Sequence, residues 1–446
     1  MTFVSSIPAE AATITITKRL AAVQGTVAAW FAKVVLAVLD QGLISGSNFV
    51  MGVLLARWLS REQYGAYALA FAIFLLVSQF YTSLVLEPMA VFGGSMYRQR
   101  LRGYLGSLLW IHLGTALVAF LTLGIAAILA RAWGLGGNLP SALAAVTVAA
   151  PCVLLFWLVR RAFYLEPSPA AAVLGAGFYS LFVLGGLFVI SRYGLLSAFT
   201  AFLLMAFGAL MTSAFSLLRL RPNWRLRNLS PRLRESWGQH WGYGRWALAT
   251  SVLLWIPSNL FFPFLSALFG MASAGDLKAL LNLSLPIANI ATALSLLFQP
   301  YASRINHLQG AARLRSFSWS ILALYGGGGI AYWSLLVMFP AQVMRFLYGG
   351  NYTNLVPLVP WLALGSVLQL AMAGPTIGLR AMESPASVFV ANCASCAVSF
   401  LVGIPLAWKF GVRGVVMAMM ASSFTGLVTS YILLTCKGES VAEATA

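Results

Sequence analysis

The sequence predicts an all-α polytopic membrane protein, with about 12 transmembrane helices in two pseudo-symmetric six-helix lobes. Three observations carry this. Of 446 residues, 60% are hydrophobic and only 9% are charged. A soluble domain carries about 25% charged residues, so a soluble fold of this length lacks the charge to cover its surface. Mean hydropathy is +0.86, and apolar runs of about 20 residues, the length that spans a bilayer, recur between short polar turns.

The elements follow in chain order. Residues 1–29 carry Lys18 and Arg19 ahead of an apolar run too long for a signal-peptide core, so they read as a cytosolic tail. Six spans follow at roughly 30–58, 64–89, 104–130, 140–161, 169–191 and 194–218, an N-terminal lobe over 30–218. Pro151 leaves open that 140–161 is broken or spans poorly. A basic linker, 219–243, is the longest polar segment and reads as a cytosolic loop. Six more spans, at 244–270, 277–299, 316–339, 355–377, 387–408 and 412–435, form a C-terminal lobe over 244–436, and 437–446 is a cytosolic tail. Trp30, Trp58, Trp110, Trp133 and Trp408 mark membrane interfaces.

The net charge of +18 first suggests nucleic acid. With the N-terminus inside, however, 20 Lys and Arg fall on the inner side and 8 on the outer, Lys278 among the latter. That is the positive-inside pattern, with both termini cytoplasmic, and it needs no nucleic acid. Cys152, Cys393, Cys396 and Cys436 lie in or at the end of apolar runs. The C-x-x-C of Cys393 and Cys396 stands alone, whereas zinc needs about four ligands, so neither a disulfide framework nor a metal is expected.

A repeat divides the chain. Leu86–Ala90 reads L-E-P-M-A and Phe298–Ala302 reads F-Q-P-Y-A, each ending the second span of its half before a basic turn. Gly65 and Gly275 occupy similar outer turns, at an offset of 210 rather than 212. Two halves of six spans each start on the same side, so they are parallel repeats, and a binding site is expected between them. The G-x-x-x-G of Gly42 and Gly46 predicts close helix approach. The intramembrane prolines, Pro257, Pro263, Pro286 and Pro375 among them, predict kinks.

Only Asp40 and Glu87 place carboxylates inside spans. Each costs about 2.5–3.5 kcal/mol in a bilayer on insertion scales, which marks a cavity, a pathway or a relay. Asp40 lies at i+7 from Lys33, on one face with Gln41, Ser47 and Asn48, so a structural pair with Lys33 is one reading. Glu87 allows a pair with Arg98 or Arg100. In the second half Asn282, Pro286, Asn289, Thr292 and Gln299 form a polar stripe, and Arg245, Ser251, Trp255 and Asn259 line the preceding span. Such faces suit sugar hydroxyls and planar sugar rings, and cations at their inner mouth suit a phosphate. His112 and Gln369 read as hydrogen bonds between helices. No phosphate-binding G-x-x-x-x-G-K-[S/T] occurs, and no long outer loop carries paired carboxylates.

Leu54–Phe71, L-L-A-R-W-L-S-R-E-Q-Y-G-A-Y-A-L-A-F, resembles the first hairpin of polysaccharide-biosynthesis (O-antigen/exopolysaccharide) flippases. Phe346–Tyr352, F-L-Y-G-G-N-Y, resembles the outer segment of that family, Gly378–Pro385, G-L-R-A-M-E-S-P, its inner turn, and Phe410–Ala418 the approach to its last helix. Together these resemble the polysaccharide branch of the multidrug/oligosaccharidyl-lipid/polysaccharide exporter superfamily over about 40–435. The resemblance implies a V-shaped pair of lobes in the bacterial inner membrane. It also implies alternating access for a polyprenyl-pyrophosphate-linked oligosaccharide, no cofactor and no catalysis, with a polymerase or glycosyltransferases as possible partners. The intramembrane Arg-Asp pair of lipid II flippases is unmatched, since Leu39 precedes Asp40. Expected substrate contacts are Lys33, Asn48, Arg245, Trp255, Asn259, Asn282, Asn289 and Arg304, with Asp40 and Glu87 coupling an ion or the membrane potential. The alternatives are a multidrug antiporter of the same superfamily, a membrane-bound polysaccharide polymerase or ligase, and a scaffold whose Arg-rich linker recruits acidic lipids or proteins.

Overall fold

The computed structural model describes residues 35–445 apart from 136, 167 and 224–228. Lys33 therefore lies outside the described residues, as do Lys18, Arg19, Arg225 and Arg227. The described chain is helical, with no strand.

The first half opens with α1 (Val35–Trp58). A Ser60 side chain accepting from the Gln63 amide starts α2 (Arg61–Tyr81). A π-helical turn at Thr82–Leu86 then leads into α3 (Glu87–Gly94). Helices α4 (Leu101–Ala132), α5 (Leu139–Leu165), α6 (Pro169–Arg192) and α7 (Ala198–Leu220) complete it. Pro151 does not break α5, which is continuous. A reciprocal Ser197–Thr200 capping box starts α7, and left-handed Arg221 ends it.

The linker predicted as a loop turns helical at Leu229, and α8 runs on to Asn259. Then come α9 (Phe261–Phe269), α10 (Met271–Asn282), α11 (Leu285–Met338), α12 (Pro340–Tyr348), α13 (Val359–Ala371), α14 (Ala373–Ala381), α15 (Pro385–Val398), α16 (Ile404–Phe410) and α17 (Val412–Thr445). The helix breaks at Leu260, Leu283–Ser284 and Met372 sit just upstream of Pro263, Pro286 and Pro375, where the ring removes a backbone donor and disfavours continued helix.

Ten helical segments among the described residues are long and apolar enough to cross a membrane. The predicted eighth and ninth spans are one of these, because α11 is continuous except at Gly310 (φ 80°). Its two arms pack side by side through Ser295–Tyr325 at 3.0 Å and Phe298–Phe317. The predicted seventh span is α8 with α9. Among the described residues each of the twelve predicted spans is thus mainly helical.

Helices α2 and α4–α7 pack on one another, as do α11 and α13–α17. The two groups meet mainly where α8, α9 and α10 cross α2, whereas α11 has no substantial packing against α2–α7. We call the end bearing residues 95–102 the basic end and the opposite one the far end.

Candidate functional site

At the far end the two groups close on each other, and two sequence motifs do it. Gly65 of α2 and Gly275 of α10 bring the backbones into contact: a Cβ at Gly65 would lie 1.7 Å from the Met271 carbonyl oxygen, and one at Gly275 2.7 Å from that of Arg61. The two glycines at similar places in the repeat thus meet each other. Beside them Arg61 forms a two-pronged ion pair with Asp276, Nε to Oδ1 at 2.9 Å. F-L-Y-G-G-N-Y wraps the same spot. Arg57 Nη1 donates to the Phe346 carbonyl at 3.3 Å, Asn351 Nδ2 to the Arg57 carbonyl at 3.1 Å, and the Tyr348 hydroxyl to the Ala279 carbonyl at 2.8 Å. Gly349 and Gly350 supply the positive φ of that turn. Just below, buried Asn282 donates to the Tyr64 hydroxyl at 2.8 Å and packs on Gly52 of α1. Asn282 is therefore a contact between the lobes.

Further down α1 the surroundings open. A Cβ at Gly42 or Gly46 would meet nothing within 4 Å, so the close approach expected of G-x-x-x-G is absent in this state. Gln41 and Asn48 are exposed on the same helix. Asp40, 2% exposed, does have a cation partner: Arg160 of α5, Nη1 to Oδ1 at 3.6 Å. The Tyr164 hydroxyl donates to the other carboxylate oxygen at 2.6 Å, and Arg160 Nη2 donates to Gln41 at 3.5 Å. The arginine unmatched in the first span is thus supplied from the fourth. Glu87 makes no ion pair with Arg98 or Arg100. It lies within electrostatic range of Arg161.

The remaining expected contacts scatter. Asn259 is buried and its amide bonds its own helix, at the Trp255 carbonyl. The Trp255 indole N–H is buried without a partner among the described residues. Asn289 is half-buried, and Arg245 and Arg304 are exposed. At 1.5 Å per residue, Arg304 lies roughly 30 Å along the helix axis from Asn282, so these residues do not form one cluster. They line two levels, a closed far end and a basic mouth. His112 does bond across helices, to the Tyr81 hydroxyl at 2.9 Å, but exposed Gln369 does not.

Lys278, counted from sequence with the outer cations, is half-buried on α10 with its ammonium 4.9 Å over the Phe71 ring and no ion-pair partner among the described residues. It sits one helical turn from Asn282, on the membrane side of Asp276. Its offset of four from Asn282 could have identified it, since that places both on one helix face.

No family model and no curated protein sequence matches the chain. Solved structures do. An inward-facing multidrug resistance MATE family transporter of the MOP superfamily is 14% identical, with 91% of this chain and 96% of that one covered and a TM-score of 0.76. The lipid II flippase MurJ in an inward closed conformation is 14% identical, with 91% and 86% covered and a TM-score of 0.66. An outward-facing MATE family transporter is also 14% identical, with 93% and 96% covered and a TM-score of 0.64. The chain has the two-lobed helical fold of these transporters.

Proposed function

We propose that this chain is a flippase that moves polyprenyl-pyrophosphate-linked oligosaccharides across the bacterial inner membrane by alternating access, with the basic end cytoplasmic. The observation that carries it is the arrangement of charge around a bundle closed at one end. Arg160 compensates the Asp40 carboxylate, while Lys278 near the closed end and exposed Arg304 at the mouth add positive charge. Cations attract a pyrophosphate, whereas a carrier of cationic drugs needs uncompensated carboxylates. Asn48, Asn289 and Trp255 suit sugar hydroxyls and rings, and the apolar tail stays in lipid. Asp40 and Glu87 are the coupling groups: a proton or cation at Asp40 competes with Arg160, and breaking that pair loosens α1 from α5.

The test is a deletion strain. Lipid-linked oligosaccharide should accumulate on the cytosolic leaflet and be released to the outer one by re-expression. The second reading, a multidrug antiporter, draws on the higher similarity to the inward-facing MATE transporter. Normal export in the deletion strain together with new sensitivity to cationic drugs would establish it instead.

A further inference from the structure

A groove of about 1090 Å³ runs along the first lobe between α2, α4 and the start of α8. That is at the upper end of ordinary ligand sites, about 300–1,000 Å³. The walls are hydrocarbon even where the residues are polar. The Thr115 hydroxyl is turned onto the Ile111 and His112 carbonyls at 3.0 Å, and the Thr122 hydroxyl onto that of Val118 at 2.9 Å. Both hydroxyls are therefore already taken up by the backbone of their own helix. Phe80 and Val118, 41% and 61% exposed, form its rim and meet lipid in a membrane.

Length and polarity narrow the ligand further. Along α4 the lining extends from Trp110 to Thr122, about 18 Å at 1.5 Å per residue. One leaflet of a bilayer core is about 15 Å deep. Among the described residues, the one charged side chain of the lining lies at the basic end, where exposed Arg234 and Trp237 of α8 close the groove. Trp110 lines that same end with its ring, its indole N–H being buried. A cation with indoles at headgroup level is how proteins hold lipid phosphates.

We propose that this groove binds one anionic phospholipid of the leaflet at the basic end, its acyl chains between α2 and α4 and its phosphate on Arg234. A single guanidinium suits one phosphodiester, whereas a pyrophosphate would call for more cations at the groove itself. The lipid is thus one of the bilayer and not the transported molecule, and the site does not depend on the flippase reading. Because α8 belongs to the second half and α2 and α4 to the first, the bound lipid bridges the two.

The test uses the purified full-length chain in neutral detergent, titrated with phosphatidylglycerol or phosphatidylcholine while thermal unfolding is followed. Phosphatidylglycerol should raise the unfolding temperature at lower concentration than phosphatidylcholine does. Arg234→Gln should weaken the phosphatidylglycerol response about fivefold, the scale of one interfacial cation, and leave that of phosphatidylcholine unchanged. Gly114→Phe should blunt both responses, because a Cβ at Gly114 meets nothing within 4 Å and the ring fills the groove. Equal responses of the unaltered chain to the two lipids would overturn the proposal. So would an unchanged phosphatidylglycerol response in Arg234→Gln, or a stronger response to undecaprenyl phosphate that Gly114→Phe removes.

Discussion

Asp40 shows what a single buried charge requires of its neighbours. Scarcity of carboxylates made it conspicuous in the sequence, but its partners were not legible there. Arg160 and Tyr164 lie 120 and 124 positions away, and Arg160 reads as one more cation of a basic turn. Only the packing of α1 on α5 brings the three together. Arg160→Ala should therefore be more damaging than Asp40→Asn. It leaves a carboxylate in a dry site with only a tyrosine hydroxyl, and breaking such a pair costs about 3–5 kcal/mol. Asp40→Asn keeps a group that accepts from Tyr164. Thermal unfolding of the single variants and of the double variant Asp40→Asn/Arg160→Gln checks this. The double variant should recover most of the stability lost in Arg160→Ala while export stays low. Full export by Asp40→Ala would remove the carboxylate from any coupling role.

The element scale is where local sequence rules and long-range packing meet. Pro88 has no N–H to offer the Leu84 carbonyl four residues back, and the π-helical turn lies over the same stretch. His240 of α8 donates to that carbonyl through Nδ1 at 2.9 Å and accepts from the Tyr104 hydroxyl at Nε2, 2.7 Å away. Ser83 bonds Ser251 and Gly244 lies against the Ser83 carbonyl, so α8 is fastened along this turn. The L-E-P-M-A motif was visible in the sequence, but its use as a dock for α8 was not. The Arg-rich linker reads as a loop because its charge hides helical periodicity. Burial lowers the His240 pKa from its ordinary 6.5, partly opposed by the bond to Leu84. The folded state therefore holds neutral histidine, so its contribution is complete above pH 6.5 and is lost as pH falls below it. Proteolysis within 229–243 should accelerate from pH 7 to pH 5, and His240→Gln should flatten that dependence; Tyr104, bonded to His240, and Tyr97 and Glu235 beyond it are the other titratable groups on these elements. At the far end, Gly65→Ala should separate α2 from α10, since its Cβ has no room beside the Met271 carbonyl. Labelling of Ala279→Cys, a fully buried position on α10, should rise severalfold in Gly65→Ala, and no rise would mean that the helices shift without parting.

Across the whole molecule, the sequence predicted two repeated groups of spans, and their helices are present. What it could not convey is which state the repeats adopt, because alternating access uses one sequence for two packings that differ by a few kcal/mol. The structure is closed at the far end by L-L-A-R-W-L-S-R-E-Q-Y-G-A-Y against F-L-Y-G-G-N-Y, two of the motifs that carried the family resemblance. If alternation is the mechanism, these contacts must separate once per cycle. Arg57 and Asn351 touch across the seam without burying their side chains, so Arg57→Cys/Asn351→Cys in a chain whose four native cysteines are replaced by serine or alanine joins the lobes there. Joining them with a short bifunctional thiol reagent should abolish export, and a cleavable reagent should restore it on reduction. The same pair with Asp276→Asn should crosslink less completely, because Arg61 loses its charged partner and the closed state becomes less populated. Export that continues undiminished through a fully crosslinked seam would show that the far end never opens, and a carrier that flips its cargo by alternating access would be ruled out.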